Sequence, residues 1–422
     1  MITRGSSALE PICKEKEEYS NESEGGSMTR KVFITGATRT AIGTMAGVLK
    51  DTSAVKLGEV VVREAMKRAG VKPEQVDFVY MGNVLQAGQG QNVARQVALN
   101  SGLPVETPAV TLNVVCGSGL EAVNTAARLI QTGEADIVIA GGTENMAMAP
   151  YAMMKGRFGY RMNNATIVDT MVNDALWDAF NDFHMGITAE NVAEKYGITR
   201  EELDAFSARS QNRAEAARNA GRFKDEIVPM EIKLKKETIT FDTDEGIRDG
   251  QTPEILAKLR PAFKKDGIVT AGNSSGINNG ASAMVLVSED KMKELGLKPQ
   301  VEWLGGTLAG VEPEIMGVGP IEATKKICKR LDLKPTDFDL VESNEAFAAQ
   351  SVAVVKELKL DEEKVNVNGG AIALGHPVGC SGARILTTLI YEMLRRDEAD
   401  LGLATLCIGG GMGCAAVVKK VK

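Results

Sequence analysis

Regular patterning of apolar positions starts near Met28, and from there the chain reads as alternating helices and strands. Leu57 to Ala69 carries apolar residues at helical spacing, and a strand-like run follows from Val76 to Met81. A helix over Ser118 to Gln131 and an apolar strand from Ile137 to Ala140 come next. The same order returns late in the chain: helix Ile321 to Leu331, strand Phe338 to Glu342, helix Ser381 to Leu394, strand Leu401 to Ile408. Alternation of this kind predicts layered α/β sheets. The middle has another texture, with Met-rich and basic stretches (Met153, Met154, Lys155, Arg157, Arg161), a polar helix from Arg200 to Asn219 and a Lys-rich strand from Ile232 to Thr240.

The two patterned regions read as copies; chance is the plainer alternative, since Lys-Pro turns and Gly-Gly strand ends are common in α/β proteins. Lys67-Arg68, Lys72-Pro73 and Asp77 recur as Lys329-Arg330, Lys334-Pro335 and Asp339, at a constant offset of 262. Ser118-Gly119, Ala135-Asp136 and Gly141-Gly142 recur in the same order as Ser381-Gly382, Ala399-Asp400 and Gly410-Gly411. Two similar halves packed about a pseudo-twofold axis are therefore expected, with sites where their loops meet. The expected division is an N-terminal half over residues 28–146, completed by about 277–298, an inserted loop domain over 147–276, and a C-terminal half over 299–422. Residues 1–27, acidic and Ser/Gly-rich, are expected to be a disordered extension or an expression scar.

Composition narrows the function. A chain of 422 residues suits two or three domains at roughly 150 residues each, and 44 glycines with 5% aromatics fit many tight strand-to-helix turns. Net charge is −7 and no basic run tracks a phosphate backbone, so no nucleic-acid partner is expected. No apolar run of about 18 residues occurs, so neither is a membrane span. The six cysteines have no metal-site spacing and the chain is too large to need disulfide staples, which points to a reducing cytoplasm.

Chemistry gathers at four places. Cys116 follows the apolar run Val110 to Val115 and opens Cys-Gly-Ser-Gly at a helix start, where free N–H groups and the helix dipole favour a thiolate nucleophile; a small buried hydrophobe is the plainer alternative. His376, one of two histidines in the chain, sits in the rigid loop Leu-Gly-His-Pro-Val-Gly-Cys-Ser-Gly, equivalent in the repeat to the region of Cys116. The two can face each other from equivalent helix starts. Cys407 opens Cys-Ile-Gly-Gly-Gly-Met-Gly at a strand end, where a glycine run can aim N–H groups at an oxyanion or simply make a tight turn. Asn344, in Glu-Ser-Asn-Glu-Ala-Phe-Ala, can hold a water or an acyl oxygen, or cap a helix.

These four blocks, in this order and over about residues 29–422, resemble the thiolases, and closely the acetyl-CoA acetyltransferases among them. The resemblance implies a duplicated, five-layered αβαβα α/β fold with an inserted loop domain, and a homotetramer built as a dimer of dimers. It implies reversible Claisen condensation of two acetyl-CoA to acetoacetyl-CoA and CoA through an acetyl-cysteine, with CoA as substrate and neither cofactor nor metal. Cys116 would be the acylated nucleophile, Cys407 the acid/base thiol, and His376 the activator of the nucleophile and part of one oxyanion site with an Asn344-held water. The N–H groups of Cys116 and Gly409 would form the second oxyanion site. Matching positions suggest His184, Met185 and Phe347 at the thioester end, Ser275 near the pantetheine, and Arg248 near the adenine or its phosphates.

Two departures stand out from the resemblance: Trp177 where a smaller residue is expected near the pocket, and Cys380 in place of a small alanine. The His184-Met185 pair resembles that of short-chain members, so a four-carbon substrate is expected. A ketoacyl synthase would share the fold and the cysteine nucleophile, but decarboxylation leaves it no need for Cys407. An inactive acyl-CoA-binding module would not need all four blocks.

Overall fold

A computed structural model describes residues 30–421; the extension expected over residues 1–27 lies outside them. The first half runs β1 (Val32–Thr40), α1 (Ala54–Ala69), β2 (Phe78–Gly82), α2 (Val93–Asn100), β3 (Ala109–Leu112), α3 (Ser118–Gln131) and β4 (Ile137–Asn145). The chain then leaves the sheet for α4 (Met185–Tyr196), α5 (Arg200–Asn219) and short hairpins, and returns as β5 (Asn278–Ser288). The second half runs β6 (Val301–Gly310), α6 (Gly319–Leu331), β7 (Leu340–Ser343), α7 (Ala348–Leu358), α8 (Val378–Arg395), β8 (Leu401–Ile408) and β9 (Met412–Lys420).

Strand order is β7-β8-β9-β6-β1-β5-β4-β2-β3. In the first half β2 is parallel to β4, and β4, β5 and β1 are antiparallel neighbours. The second half repeats this with β7 parallel to β8, and β8, β9 and β6 antiparallel. The halves meet where β1 pairs with β6, Val32 opposite Trp303. Their strands are apolar on both faces because helices cover both. In β4, Ile137 and Ile139 pack with α1 and α2, whereas Val138 and Ala140 pack with α3 and α8. In β8, Leu403 faces the side of α6 and α7, whereas Ala404 and Leu406 face α3 and α8. The result is the five-layered duplicated α/β fold, with α3 and α8 as its central layer.

The repeated motifs have the same local job in each half. Asp77 Oδ2 accepts the N–H groups of Asp136 and Ile137 at 2.7 and 2.9 Å, and Asp339 Oδ2 accepts those of Asp400 and Leu401 at 3.0 and 2.9 Å. Each aspartate thus clamps the start of the neighbouring parallel strand. The repeated Ser-Gly marks where α3 crosses α8. A Cβ on Gly119 would lie 2.8 Å from Ala383 N, and one on Gly382 would lie 2.4 Å from Leu120 N, so only hydrogen fits at either position.

One element differs from expectation. The Lys-rich segment expected as a single strand over Ile232 to Thr240 is a hairpin, Met230–Lys233 against Thr238–Phe241. The Leu234 N–H donates to the Glu237 carbonyl at 2.7 Å, turning the chain at Lys235 and Lys236, whose charges stay in solvent.

Candidate active site

The end of β3, the start of α3, the loop before α8 and the turn between β8 and β9 converge on one cavity of about 620 Å³. Cys116 and His376 line it, together with His184, Met185, Arg248, Ser275 and Phe347. Asn344, Cys407 and Gly409 stand behind this lining.

Cys116 is held by an unusual backbone. Val115 has φ 44°, a left-handed conformation that a β-branched residue rarely adopts. Asn113 Oδ1 accepts its N–H at 2.9 Å, and Ser118 Oγ both accepts from Val114 N and donates to Val115 O, at 2.9 and 2.6 Å. These bonds hold a turn that presents the Cys116 sulfur to the cavity. The sulfur receives the N–H groups of Gly409 and of Cys116 itself. Burial nonetheless dominates and lifts the thiol to about 11, with Glu144 adding in the same direction. The backbone donors favour the anion, as expected at this position, but removal from water outweighs them. The N–H groups are therefore aimed at charge that develops on or next to sulfur.

His376 is fixed on three sides. Its N–H donates to Asn278 Oδ1 at 2.9 Å, and Asn278 Nδ2 donates to the Gly43 carbonyl at 3.1 Å. Its Nδ1 lies 2.6 Å from Ser381 Oγ. Ser381 has one hydroxyl hydrogen, and it goes to the Pro377 carbonyl at 2.9 Å, which can only accept. Ser381 Oγ can then accept from Nδ1, which suits the tautomer that leaves Nε2 its lone pair. Burial, helped by Arg384, lowers the imidazole to about 3, so the ring is neutral across the physiological range.

The Asn344 carboxamide lies over this ring, its Nδ2 3.4 and 3.5 Å from the two ring nitrogens, and its buried Oδ1 has no partner among the described residues. Asn344 caps no helix, since Phe347 holds the cap position of α7. Cys407 ends β8 fully buried. Burial first, and the nearby Cys116 sulfur second, push its thiol far above the ordinary range.

The remaining expected contacts build the walls. His184 Nδ1 accepts the Gly186 N–H at 3.0 Å and so caps α4. Its ring stacks on Phe263 at 4.7 Å, and Phe263 meets Phe347 edge-on at 6.1 Å. Burial keeps His184 below its usual value. Met185 is buried and Ser275 donates its N–H to the Ala346 carbonyl. Arg248 stands exposed at the rim with its N–H on Gln211 Oε1 at 2.8 Å; the guanidinium makes no ion pair among the described residues. Its acidic neighbours are engaged elsewhere, Asp244 with Arg39 and Asp249 with Arg218.

Trp177 is not part of the lining. Its indole N–H donates to Asp182 at 2.8 Å, and its ring meets the cavity-lining His184 edge-on at 6.5 Å, so it backs the wall rather than filling the cavity. Cys380 is buried in α8 and its thiol is raised to about 12 by burial, so it packs as a small apolar residue. Sequence reasoning missed Ser381, Asn278, Phe263 and Glu144. Glu144, at the end of β4, accepts N–H groups of Val84, Leu85 and Gly379 and the Asn83 amide, tying the halves together beneath Cys116. Its four neighbours are distant in sequence, so only its place at a strand end could have singled it out. Among the described residues no group of three or more His, Cys, Asp or Glu is arranged to hold a metal ion.

The comparisons with known proteins agree with this architecture. The family model described as "Thiolase, N-terminal domain" matches residues 32–290, and "Thiolase, C-terminal domain" matches residues 297–420. An acetyl-CoA acetyltransferase of Chromobacterium violaceum is 58% identical over 391 residues, covering 92% of this chain and 100% of that protein. The crystal structure of the Bacillus anthracis acetyl-CoA acetyltransferase superposes with a TM-score of 0.91 at 46% identity, covering 93% of this chain and 99% of the other. Human mitochondrial 3-ketoacyl-CoA thiolase superposes with a TM-score of 0.90 at 44% identity, covering 94% and 100%. With both family domains matched end to end and a full-length relative above half identity, the chain belongs to the thiolase family.

Proposed function

We propose that the chain is an acetyl-CoA C-acetyltransferase, condensing two acetyl-CoA to acetoacetyl-CoA and CoA or cleaving acetoacetyl-CoA with CoA. The observation that carries this is the pair of N–H groups, from Cys116 and Gly409, on the sulfur of a cavity-lining cysteine. Those donors suit the oxyanion of a tetrahedral adduct on that cysteine. In cleavage, Cys116 gives its proton to His376 Nε2 as the sulfur attacks the 3-keto carbonyl of acetoacetyl-CoA. The carbon–carbon bond breaks, the enolate of acetyl-CoA leaves, and Cys116 keeps the acetyl group as a thioester. Cys407 protonates the enolate carbon. CoA then attacks the acetyl-cysteine, its thiol proton passing to the Cys407 thiolate, and His376 returns its proton to the Cys116 sulfur as a second acetyl-CoA departs. Condensation is the reverse, with Cys407 taking the α-proton. His376 and a water on the unpartnered Asn344 Oδ1 stabilise the enolate oxygen. No metal or redox cofactor is required, because the thioester itself acidifies the α-carbon.

The CoA arm runs along Ser275 and Phe347 towards Arg248, whose free guanidinium suits a phosphate. His184, stacked on Phe263, and buried Met185 line the same cavity as Cys116, and this bulk beside the sulfur supports a short acyl chain. Thiolysis of 3-ketoacyl-CoA substrates of increasing length is expected to peak at four carbons, kcat/KM falling by about tenfold or more on adding two methylenes. A flat profile would overturn the acetyl specificity, and no thiolysis at any length would overturn acyl transfer.

Self-association as a tetramer belongs to the same reading. It is supported by an exposed apolar arm, in which Phe158 is 92% and Met162 85% accessible, and by the open edge of β3 with exposed Val110. A cytoplasmic location is supported by Cys116, Cys328, Cys380, Cys407 and Cys414 all being unpaired thiols. Among the described residues no helix is long and apolar enough to cross a membrane.

A further inference from the structure

Acyl transfer leaves several buried charged groups without a task, and one of them reaches towards the cavity. Arg39, on β1, is wholly buried. Its Nε donates to Glu226 Oε1 at 2.7 Å, while Nη1 and Nη2 grip Asp244 two-pronged at 2.7 and 2.9 Å. Nη1 also donates to the Thr40 carbonyl at 3.1 Å, and the guanidinium lies over the Phe223 ring at 5.3 Å. Both carboxylates are buried as well. Such a triad is a poor way to gain stability, since well-packed apolar residues generally serve as well or better. What it does provide is a fixed location for Asp244.

That location matters for the cavity. Asp244 Oδ1 also accepts the Ile42 N–H at 2.8 Å, and Glu245 accepts the N–H groups of Thr44 and Val48 at 2.7 and 2.9 Å. The segment from Asp244 is thus clipped onto the turn that follows β1. Thr44 and Met45 from that turn, and Gly246 and Arg248 from the segment, line the cavity together. Arg248 follows Asp244 by one helical turn's worth of chain, and its guanidinium is uncommitted because the nearby acids are engaged.

The geometry points to Arg39 as a positioning residue for recognition of the phosphorylated end of CoA, acting through Asp244 to set where Arg248 stands at the cavity rim. This rests on the reading of Arg248 as a phosphate contact. Arg39 touches no substrate and takes no part in the acyl chemistry.

The test compares thiolysis of acetoacetyl-CoA by CoA and by pantetheine, which has the same thiol without the nucleotide. Asp244→Asn is the primary variant, because it leaves Arg39 paired with Glu226 and keeps an acceptor for Ile42. It is expected to raise KM for CoA by about tenfold with kcat within about twofold, the signature of lost uniform binding. KM for pantetheine is expected to stay unchanged, and R39K to give the same pattern more mildly. Adding D244N to Arg248→Ala is expected to cause no further loss of CoA preference. Equal loss towards both thiols, or an unaltered CoA preference in whichever of D244N and R39K folds, would overturn the inference. Failure of Arg248→Ala itself to weaken the preference for CoA would instead overturn the phosphate-contact reading.

Discussion

On the proposed reading Cys116 is the nucleophile, and its surroundings favour the protonated thiol. Burial lifts its thiol to about 11, and His376, held neutral down to about 3, cannot supply a standing imidazolium to pair with a thiolate. The sign follows directly: below pH 11 each unit of rising pH increases the thiolate fraction about tenfold, with no neutral-pH plateau from an ion pair. Iodoacetamide modification of Cys116 between pH 7 and 10, read by mass spectrometry, is expected to track that slope; a rate already level near pH 7 would show that a thiolate–imidazolium pair exists. Cys116, His376 and Cys407 stood out in the sequence because reactive side chains lay close to glycines at the ends of patterned elements, and Asn344 because it follows a strand. Ser381, which hydrogen-bonds His376 Nδ1, was visible only as half of a repeated Ser-Gly pair. The left-handed Val115 gave no sign, since nothing in a valine's identity announces φ 44°.

The elements themselves were largely legible, because strands covered on both faces leave short continuous apolar runs and helices leave helical spacing, patterns that need no partner to be seen. Their ends were less so. β2 starts at Phe78 rather than Val76, because a short 3₁₀ turn over Pro73–Gln75 and the Asp77 clamp use the preceding backbone. The crossing of α3 and α8 is where sequence and packing meet most tightly. A side chain at Gly382 would stand 2.4 Å from backbone atoms of α3, which cannot swing aside. Gly382→Val is therefore expected to cost about 3 kcal/mol or more, read as a fall in the urea midpoint at unchanged slope. A near-neutral result would mean that the central helices can part without loss. The crossing also sets the starts of α3 and α8, so the same variant is expected to depress turnover in whatever fraction remains folded.

At the scale of the molecule, duplication makes the site: each half brings one helix start to the centre, and the insertion closes over them with α4, Phe263 and the Arg248 segment. The exposed arm around Phe158 and Met162 carries the remaining prediction. Light scattering is expected to give a tetramer for the unaltered chain and a smaller species for F158S/M162S; a monomer for the unaltered chain would remove the assembly reading. Taken alone, the sequence determined the repeat, the alternation of elements and the identity of the reactive groups, all of which are written in local spacing and residue type. Only the tertiary structure decided which groups surround each histidine nitrogen, in which direction burial moves each thiol, and which distant carboxylates hold Arg39. Those quantities depend on the desolvation and hydrogen bonding of groups brought together from positions tens to hundreds of residues apart, and no local pattern encodes them.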